Sequence, residues 1–343
     1  MPILTTCIGS YPKPPYVPRL GWMHEDVEAG EVEAGALSPA EQRAAFDRAT
    51  REVVAEQAAI GIDIPTDGEI RRGNYIHYHC RHLQGFAPET LTRRTMRNGA
   101  WTAEVPTFTG KVSAGKPFLV RDWEVAQAAT EKPVKITVPG PLTIADSTAN
   151  TCAADRRAWC ADLAQALNVE IRRLADAGCR HIQVDEPLFA RLPEQALDFG
   201  IENIERCFHG VPASVTRTMH MCCGYPDKLD ETDYVKADPG AYLRLARAVE
   251  ASSLDAVSIE DAHRHNDLSL LDAFARTTVI LGVVEIASSR VETVDEIAAR
   301  LRAALDHIDA DRLIAAPDCG LIMLGADLAR TKLGRLVEAA RAV

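Results

Sequence analysis

The chain has 343 residues, 47% of them hydrophobic and 25% charged, a composition that suits one large globular domain or two ordinary ones. With 38 basic against 49 acidic residues the formal net charge is −11, which argues against the basic face of a nucleic-acid binder. No stretch approaches the ~20 apolar residues needed to cross a bilayer, and Met1-Pro2-Ile3-Leu4 lacks the basic region and apolar core of a secretory signal. The expectation is therefore a cytoplasmic enzyme without nucleic-acid or membrane partners, its homo-oligomeric state left open.

Taken in chain order, short apolar runs bounded by Gly and Pro recur, the pattern of strands buried in a parallel sheet. The first, 5–10, ends in Ile8-Gly9-Ser10. An Ala-, Glu- and Arg-rich helical segment over 39–59 leads to the second run, 62–69, which ends in Asp67-Gly68-Glu69. Residues 74–130 then mix His, Trp, Phe and Gly without clear helical periodicity and read as an inserted loop or hairpin. The third run, 134–141, carries Pro139-Gly140-Pro141. A helix over 156–177, with Leu163, Leu167, Ile171 and Leu174 at helical spacing, stops at Gly178. The fourth and fifth runs are 181–187, ending Asp185-Glu186-Pro187, and 215–222, ending His220-Met221-Cys222. Runs at 256–260, 279–285 and 313–319 complete eight, with helices expected over 240–250, 268–275, 294–307 and 328–342. Eight strands alternating with helices predict a (β/α)8 TIM barrel spanning residues 1–343 as a single domain, with 74–130 inserted between strands two and three. A doubly wound open sheet is the weaker alternative, because no GxGxxG follows an early strand.

In such a barrel the carboxyl ends of the strands face one pocket. Those positions hold Glu69, Asp185, His220, Cys222, Glu260 and Cys319. His220 and Cys222 are two apart, so on an extended strand both point the same way. One imidazole, two thiols and one carboxylate form a set suited to Zn2+. Zinc with an exchangeable position presents an incoming thiol as thiolate, and the implied chemistry is S-alkylation. Taken alone, His-x-Cys is a weak signal and Cys319 is as readily a core residue; their shared place at strand ends gives the set its weight. Nine cysteines, an odd number, do not resemble a secreted disulfide framework. Cys223 faces away from Cys222 on a strand and reads as core or loop.

The residues Ile8-Gly9-Ser10-Tyr11-Pro12, Asp67-Gly68-Glu69, Gly140-Pro141-Leu142-Thr143-Ile144, Ile182-Gln183-Val184-Asp185-Glu186-Pro187, His220-Met221-Cys222, Ser258-Ile259-Glu260 and Pro317-Asp318-Cys319-Gly320-Leu321 resemble the catalytic barrel of the cobalamin-independent methionine synthase superfamily. The likeness covers most of the chain and is stronger to the superfamily's shorter, single-barrel proteins. It implies that His220, Cys222, Glu260 and Cys319 bind zinc, and that Ile8, Ser10, Glu69 and Asp185 hold the amino-acid end of a thiol such as homocysteine. Two positions depart from the pattern. Ser147 stands where the family places a tryptophan against folate, and Ala287 where it places a histidine that protonates the departing folate. Both lie on the donor side, so the expected reaction is zinc-dependent methyl transfer to a thiol from a donor other than a polyglutamyl methylfolate, methylcobalamin being one candidate.

The superfamily also contains zinc-dependent alkyltransferases of the epoxyalkane:coenzyme M type, the alternative reading. That reaction needs a cationic clamp and an acid, roles open to Arg71 or Arg72 and to His77 or His79, although a surface arginine pair and pocket-mouth histidines fit the same residues. A noncatalytic zinc or thiol carrier is the reading outside enzymology. His263 and His265, just after Glu260, are expected beside the pocket, and His24 and His307 on the surface.

Overall fold

The computed structural model describes residues 2–18, 37–96, 101–152, 155–224, 228–232 and 234–343; His24 lies outside them. A two-residue strand β1 (Leu4–Thr5) opens the chain, followed by helix α1 (Pro39–Ile60). Ser38 and Glu41 form a reciprocal capping box at the start of α1, and Gly61 ends it in the left-handed region at φ 112°. Next come α2 (Tyr75–His82), β2 (Leu83–Met96), β3 (Trp101–Ala114) and α3 (Leu119–Gln127). The middle of the chain supplies β4 (Lys135–Pro139), α4 (Pro141–Asp146), β5 (Ala149–Asn150), α5 (Arg156–Ala177) and β6 (His181–Asp185). A one-turn α6 (Pro193–Gln195) runs through a π-helical turn into α7 (Ile201–Cys207). The rest is β7 (Thr216–Met221), α8 (Ala241–Ala251), β8 (Ala256–Ile259), β9 (Thr278–Val284), α9 (Val294–Ala304), β10 (Leu313–Pro317) and α10 (Ala326–Arg341).

Seven strands form one curled parallel sheet in the order β1-β10-β9-β8-β7-β6-β4. Its strands are buried on both faces, which is why they read as continuous apolar runs. The expected second strand, 62–69, forms no regular strand. It appears as two parallel bridges, Thr6↔Ile64 and Thr66↔Lys135, which tie it to the chain after β1 and to β4. Pro65 cannot donate to a ladder and Gly68 turns the chain at φ 68°, so regular pairing stops after single bridges.

The inserted region differs from expectation in one respect. It is a hairpin, β2 against β3, but it also carries the two helices α2 and α3. Asn74 caps α2 by accepting from the N–H groups of Ile76 and His77 at 2.9 and 3.1 Å. The Tyr and His residues that fill this helix are poor helix formers, so propensity concealed it. Over 268–275 a 3-10 helix (Leu268–Ala273) replaces the expected α-helix; the segment is too short to sustain an isolated α-helical run.

Candidate functional site

Regular β pairing places the reactive residues along one edge. Asp185 lies opposite His220 in the β6–β7 register, and His220 lies opposite Ser258 in the β7–β8 register. His220 Nδ1 lies 2.9 Å from Ser258 Oγ, and its Nε2 lies 3.2 Å from Cys319 Sγ. One ligand atom each from His220, Cys222 and Cys319 falls within 4.8 Å of the others. Bonds of ~2.0–2.3 Å from imidazole and thiolate would bring such a set onto one zinc ion.

Glu260 comes from the next strand end but stands outside this group of three. Its Oε2 accepts from Lys236 Nζ at 3.4 Å, and its buried Oε1 has no hydrogen-bond partner among the described residues. Burial, with the negative charge of Cys222 and Asp318 nearby, pushes the Glu260 carboxyl up to about 8. An unsatisfied buried carboxylate oxygen beside a thiol–imidazole cluster fits a donor whose partner is a cation.

Asp318 organises this corner. Its Oδ1 accepts from Asp261 N and Ala262 N at 2.9 Å each, and its Oδ2 from His263 N at 2.7 Å. These bonds lock the chain leaving β8 to the chain leaving β10, one residue from Glu260 on one side and from Cys319 on the other. Asp261 is held in turn by Arg300.

Asp185 and Glu69 lie beside the cluster. Burial pushes the Asp185 carboxyl up to about 7, with the charge of His220 opposing, Glu69 adding to the rise, and Gln183 and Lys135 opposing it. Gln183 Nε2 donates to Asp185 Oδ1 at 2.7 Å. Glu69 adopts φ 54°, an uncommon conformation for a residue with a Cβ. Its Oε1 accepts from Thr137 Oγ1 at 2.7 Å and lies 3.4 Å from Arg72 Nη1. Gly9 permits this approach, since a Cβ there would stand 2.8 Å from Glu69 Oε1. Ile8 is buried, and Ser10 O accepts from Leu321 N at 2.7 Å, tying the end of strand one to the loop after Cys319.

The arginines and histidines of the second loop are placed differently. Arg71 pairs with Asp47 and Asp122, while Arg72 is buried against Asp67, Glu69 and the Thr137 carbonyl. Arg72 is engaged wholly within the protein, while Arg71, although ion-paired, also lines the cavity that holds His77. His79 is wholly buried, its Nδ1 2.6 Å from Tyr75 O and its ring edge-on to Tyr78 and Phe118. His77 lines a separate cavity of about 840 Å³ with Tyr11, Asn74 and Arg330. Burial lowers the His77 imidazole to about 4, so it is neutral at pH 7. Neither histidine belongs to the thiol–imidazole cluster.

The sequence reading expects His263 beside the pocket but passes over two participants, Tyr75 and Lys236. Tyr75 starts α2, and its phenol is pushed well up by burial, with the charges of Asp185, Cys222, Cys319 and Glu69 adding to the rise. Lys236, on the chain between β7 and α8, supplies the cation beside Glu260. His263 Nε2 accepts from Ile286 N and Ala287 N at 3.0 and 3.2 Å, so an imidazole from the β8 loop stands against the backbone at Ala287. Tyr75 follows a recognisable cap signal, but Lys236 carries no motif. His265 hydrogen-bonds the Asp261 carbonyl and His307 pairs with Asp272, both outside the cluster.

A curled parallel sheet with reactive side chains gathered at its carboxyl edge is the framework of an α/β enzyme. The chain belongs to the family described as cobalamin-independent synthase, catalytic domain, whose model matches residues 3–342. It is accordingly an enzyme of the methionine synthase type, a methyltransferase. A methionine synthase from Saccharolobus solfataricus is 30% identical over 346 residues, covering 100% of this chain and 96% of the relative. One from Sulfurisphaera tokodaii is 29% identical, with 100% and 93% covered. Among solved structures, a B12-independent methionine synthase from Shewanella sp. W3-18-1, in complex with selenomethionine, superposes with a TM-score of 0.87 at 28% identity. The match covers 100% of this chain and 98% of that one. A putative vitamin-B12-independent methionine synthase from Listeria monocytogenes shares the fold at TM-score 0.74 and 19% identity, over 99% and 98% of the two chains.

Proposed function

We propose that this protein is a zinc-dependent S-methyltransferase acting on a thiol such as homocysteine. The observation that carries the reading is the convergence of His220, Cys222 and Cys319 within 4.8 Å beside two strand-end carboxyl groups. His220, Cys222 and Cys319 would hold the metal, with Glu260 as the fourth donor. Bound zinc supplies a Lewis acid that keeps a thiol deprotonated at neutral pH, where a free thiol of pKa ~8.5 is mostly protonated.

The chain's own residues do the rest. Asp185 and Glu69 bind the α-ammonium of the amino-acid thiol, and the backbone around Ile8 and Ser10 binds its carboxylate. Ser258 fixes the His220 ring by meeting its Nδ1. The engagement of Arg71 and Arg72 in internal ion pairs disfavours these two as a clamp for a sulfonate, which favours methyl transfer over the coenzyme M type of alkyl transfer.

The same reading includes the architecture. A (β/α)8 barrel of one domain over residues 1–343, with 74–130 inserted, is supported by the bridges at Ile64 and Thr66, which lie where its second strand would run. Cys7, Cys80, Cys152, Cys160, Cys179, Cys207 and Cys223 are free thiols, which suits a reducing, cytoplasmic compartment. Among the described residues no helix is long and apolar enough to cross a membrane. Ser147 at the end of α4 and Ala287 beside His263 support a donor other than a polyglutamyl methylfolate, with methylcobalamin a candidate.

The test is methionine formation by zinc-loaded protein from homocysteine with either methylcobalamin or methyltetrahydrofolate. Methionine from one donor is the expected outcome. No methionine from either, at full zinc content, overturns homocysteine methylation by these donors.

A further inference from the structure

Lys135 opens β4 with its ammonium inside the sheet, where only 2% of the residue is exposed. A buried ammonium is expensive unless it is hydrogen-bonded to something that needs it, and its strand neighbours Ile136 and Val138 show that apolar residues fill β4 readily. Lys135 Nζ donates to Gln183 Oε1 at 2.7 Å. Gln183 Nε2 donates in turn to Asp185 Oδ1 at 2.7 Å and to Ile8 O at 2.8 Å.

The order of these three bonds matters. A glutamine amide fills nearly the same space in either of two flipped orientations, so packing alone does not choose between them. Lysine has donors and no acceptor, and therefore selects the orientation that turns Oε1 toward it. Both amide hydrogens then meet acceptors. The flipped amide would set its oxygen against the Ile8 carbonyl and the Asp185 carboxylate, and its N–H groups against an ammonium. Gln183 thus joins the end of strand one to the end of β6, the two places proposed above to grip the carboxylate and the ammonium of the substrate.

We propose that Lys135 and Gln183 are positioning residues that set the pocket's selectivity for a thiol bearing an α-ammonium: Lys135 orients the Gln183 amide, and the amide aims the Asp185 carboxylate. The proposal rests on the reading of Asp185 as the ammonium site. Burial lowers the Lys135 ammonium only to about 8, so the cation persists at neutral pH.

The experiment compares L-homocysteine with 4-sulfanylbutanoate, which keeps the thiol and carboxylate but lacks the amine. Both are titrated calorimetrically into zinc-loaded protein, and circular dichroism and zinc content confirm that each variant is folded and loaded. Lys135→Met and Gln183→Leu are expected to weaken homocysteine about tenfold while 4-sulfanylbutanoate changes less than about twofold. Gln183→Glu keeps an acceptor for Lys135 but turns an oxygen on Asp185, and is expected to lose the preference as well. Equal weakening of both thiols marks a merely structural role and overturns the assignment, as does an unchanged preference in all three variants. If the parent protein binds the two thiols equally, the ammonium site itself is wrong and the assignment falls with it. Retained preference in the parent and in the variants refutes the positioning role alone.

Discussion

His220 and Ser258 lie opposite each other on β7 and β8, and the hydroxyl of one meets Nδ1 of the other at 2.9 Å. This contact fixes the ring with Nε2 toward Cys319, the orientation that zinc binding requires. Removing an outer partner of a metal-binding histidine costs about 10–100-fold in metal affinity. Ser258→Ala is therefore expected to weaken zinc by about that factor, measured by competition with a chromogenic chelator. An unchanged affinity would show that packing alone holds the ring.

Cys222 and Cys223 are adjacent but not equivalent. Cys222 belongs to the cluster with His220 and Cys319, whereas Cys223 Sγ lies 3.3 Å from Arg264 Nη2. Cys222→Ser and Cys319→Ser are expected to leave a folded protein with less than about a tenth of the parent's zinc, because a serine hydroxyl is a poor replacement for a thiolate. Cys223→Ser should retain zinc. Metal analysis after gel filtration checks all three, and stoichiometric zinc in both cluster variants refutes the assignment.

Much of the fold and cluster could be read from local pattern. Apolar runs marked seven strands of the parallel sheet, and the two-residue spacing of His220 and Cys222 placed both side chains in one site. What escaped depends on contacts between distant segments. Nothing local shows that Arg71 is met by Asp47 and Asp122, or that Arg72 is spent on Asp67, and so both looked available for a substrate. Tyr75 sits in a short helix of weak helix formers, where the Asn74 cap rather than periodicity is the signal. The pairing of Lys236 with Glu260 links a loop to a strand end 24 positions later, a relation that no spacing rule anticipates.

Gly140 and Glu186 test how the start of α4 is anchored. Glu186 accepts from Leu142 N at 2.8 Å, from Thr143 N at 3.1 Å and from Thr143 Oγ1 at 2.7 Å, anchoring the start of α4. A Cβ on Gly140 would stand 2.2 Å from Glu186 Oε1. Gly140→Ala must displace that carboxylate and is expected to destabilise the protein by about 2 kcal/mol or more. Urea unfolding measures the loss, and an unchanged midpoint would mean that Glu186 has another low-energy position. Glu186→Gln, which keeps one acceptor oxygen at normal volume, should cost less.

Lys135 gives a pH-dependent stability with a defined sign. Burial lowers its ammonium from 10.5 to about 8, against the opposing charges of Cys7, Asp185 and Cys319. The unfolded chain keeps this proton up to its ordinary value, so between pH 8 and 10.5 it binds more protons than the folded protein does. Stability contributed at this residue therefore rises with pH through that window, while below it the folded state carries the full cost of burying a cation. Lys135→Met removes the titrating group and the cost of burying its charge, but leaves Gln183 Oε1 without its donor, so the informative quantity is how the two stabilities diverge with pH. The stability of the variant relative to the parent should fall by on the order of 1–3 kcal/mol as the pH rises from 7.5 to 10. Parallel urea titrations of the two proteins in the same metal state read this difference directly, since other groups that titrate in the window are shared. A difference that stays constant with pH would show that Lys135 holds its proton equally well in both states.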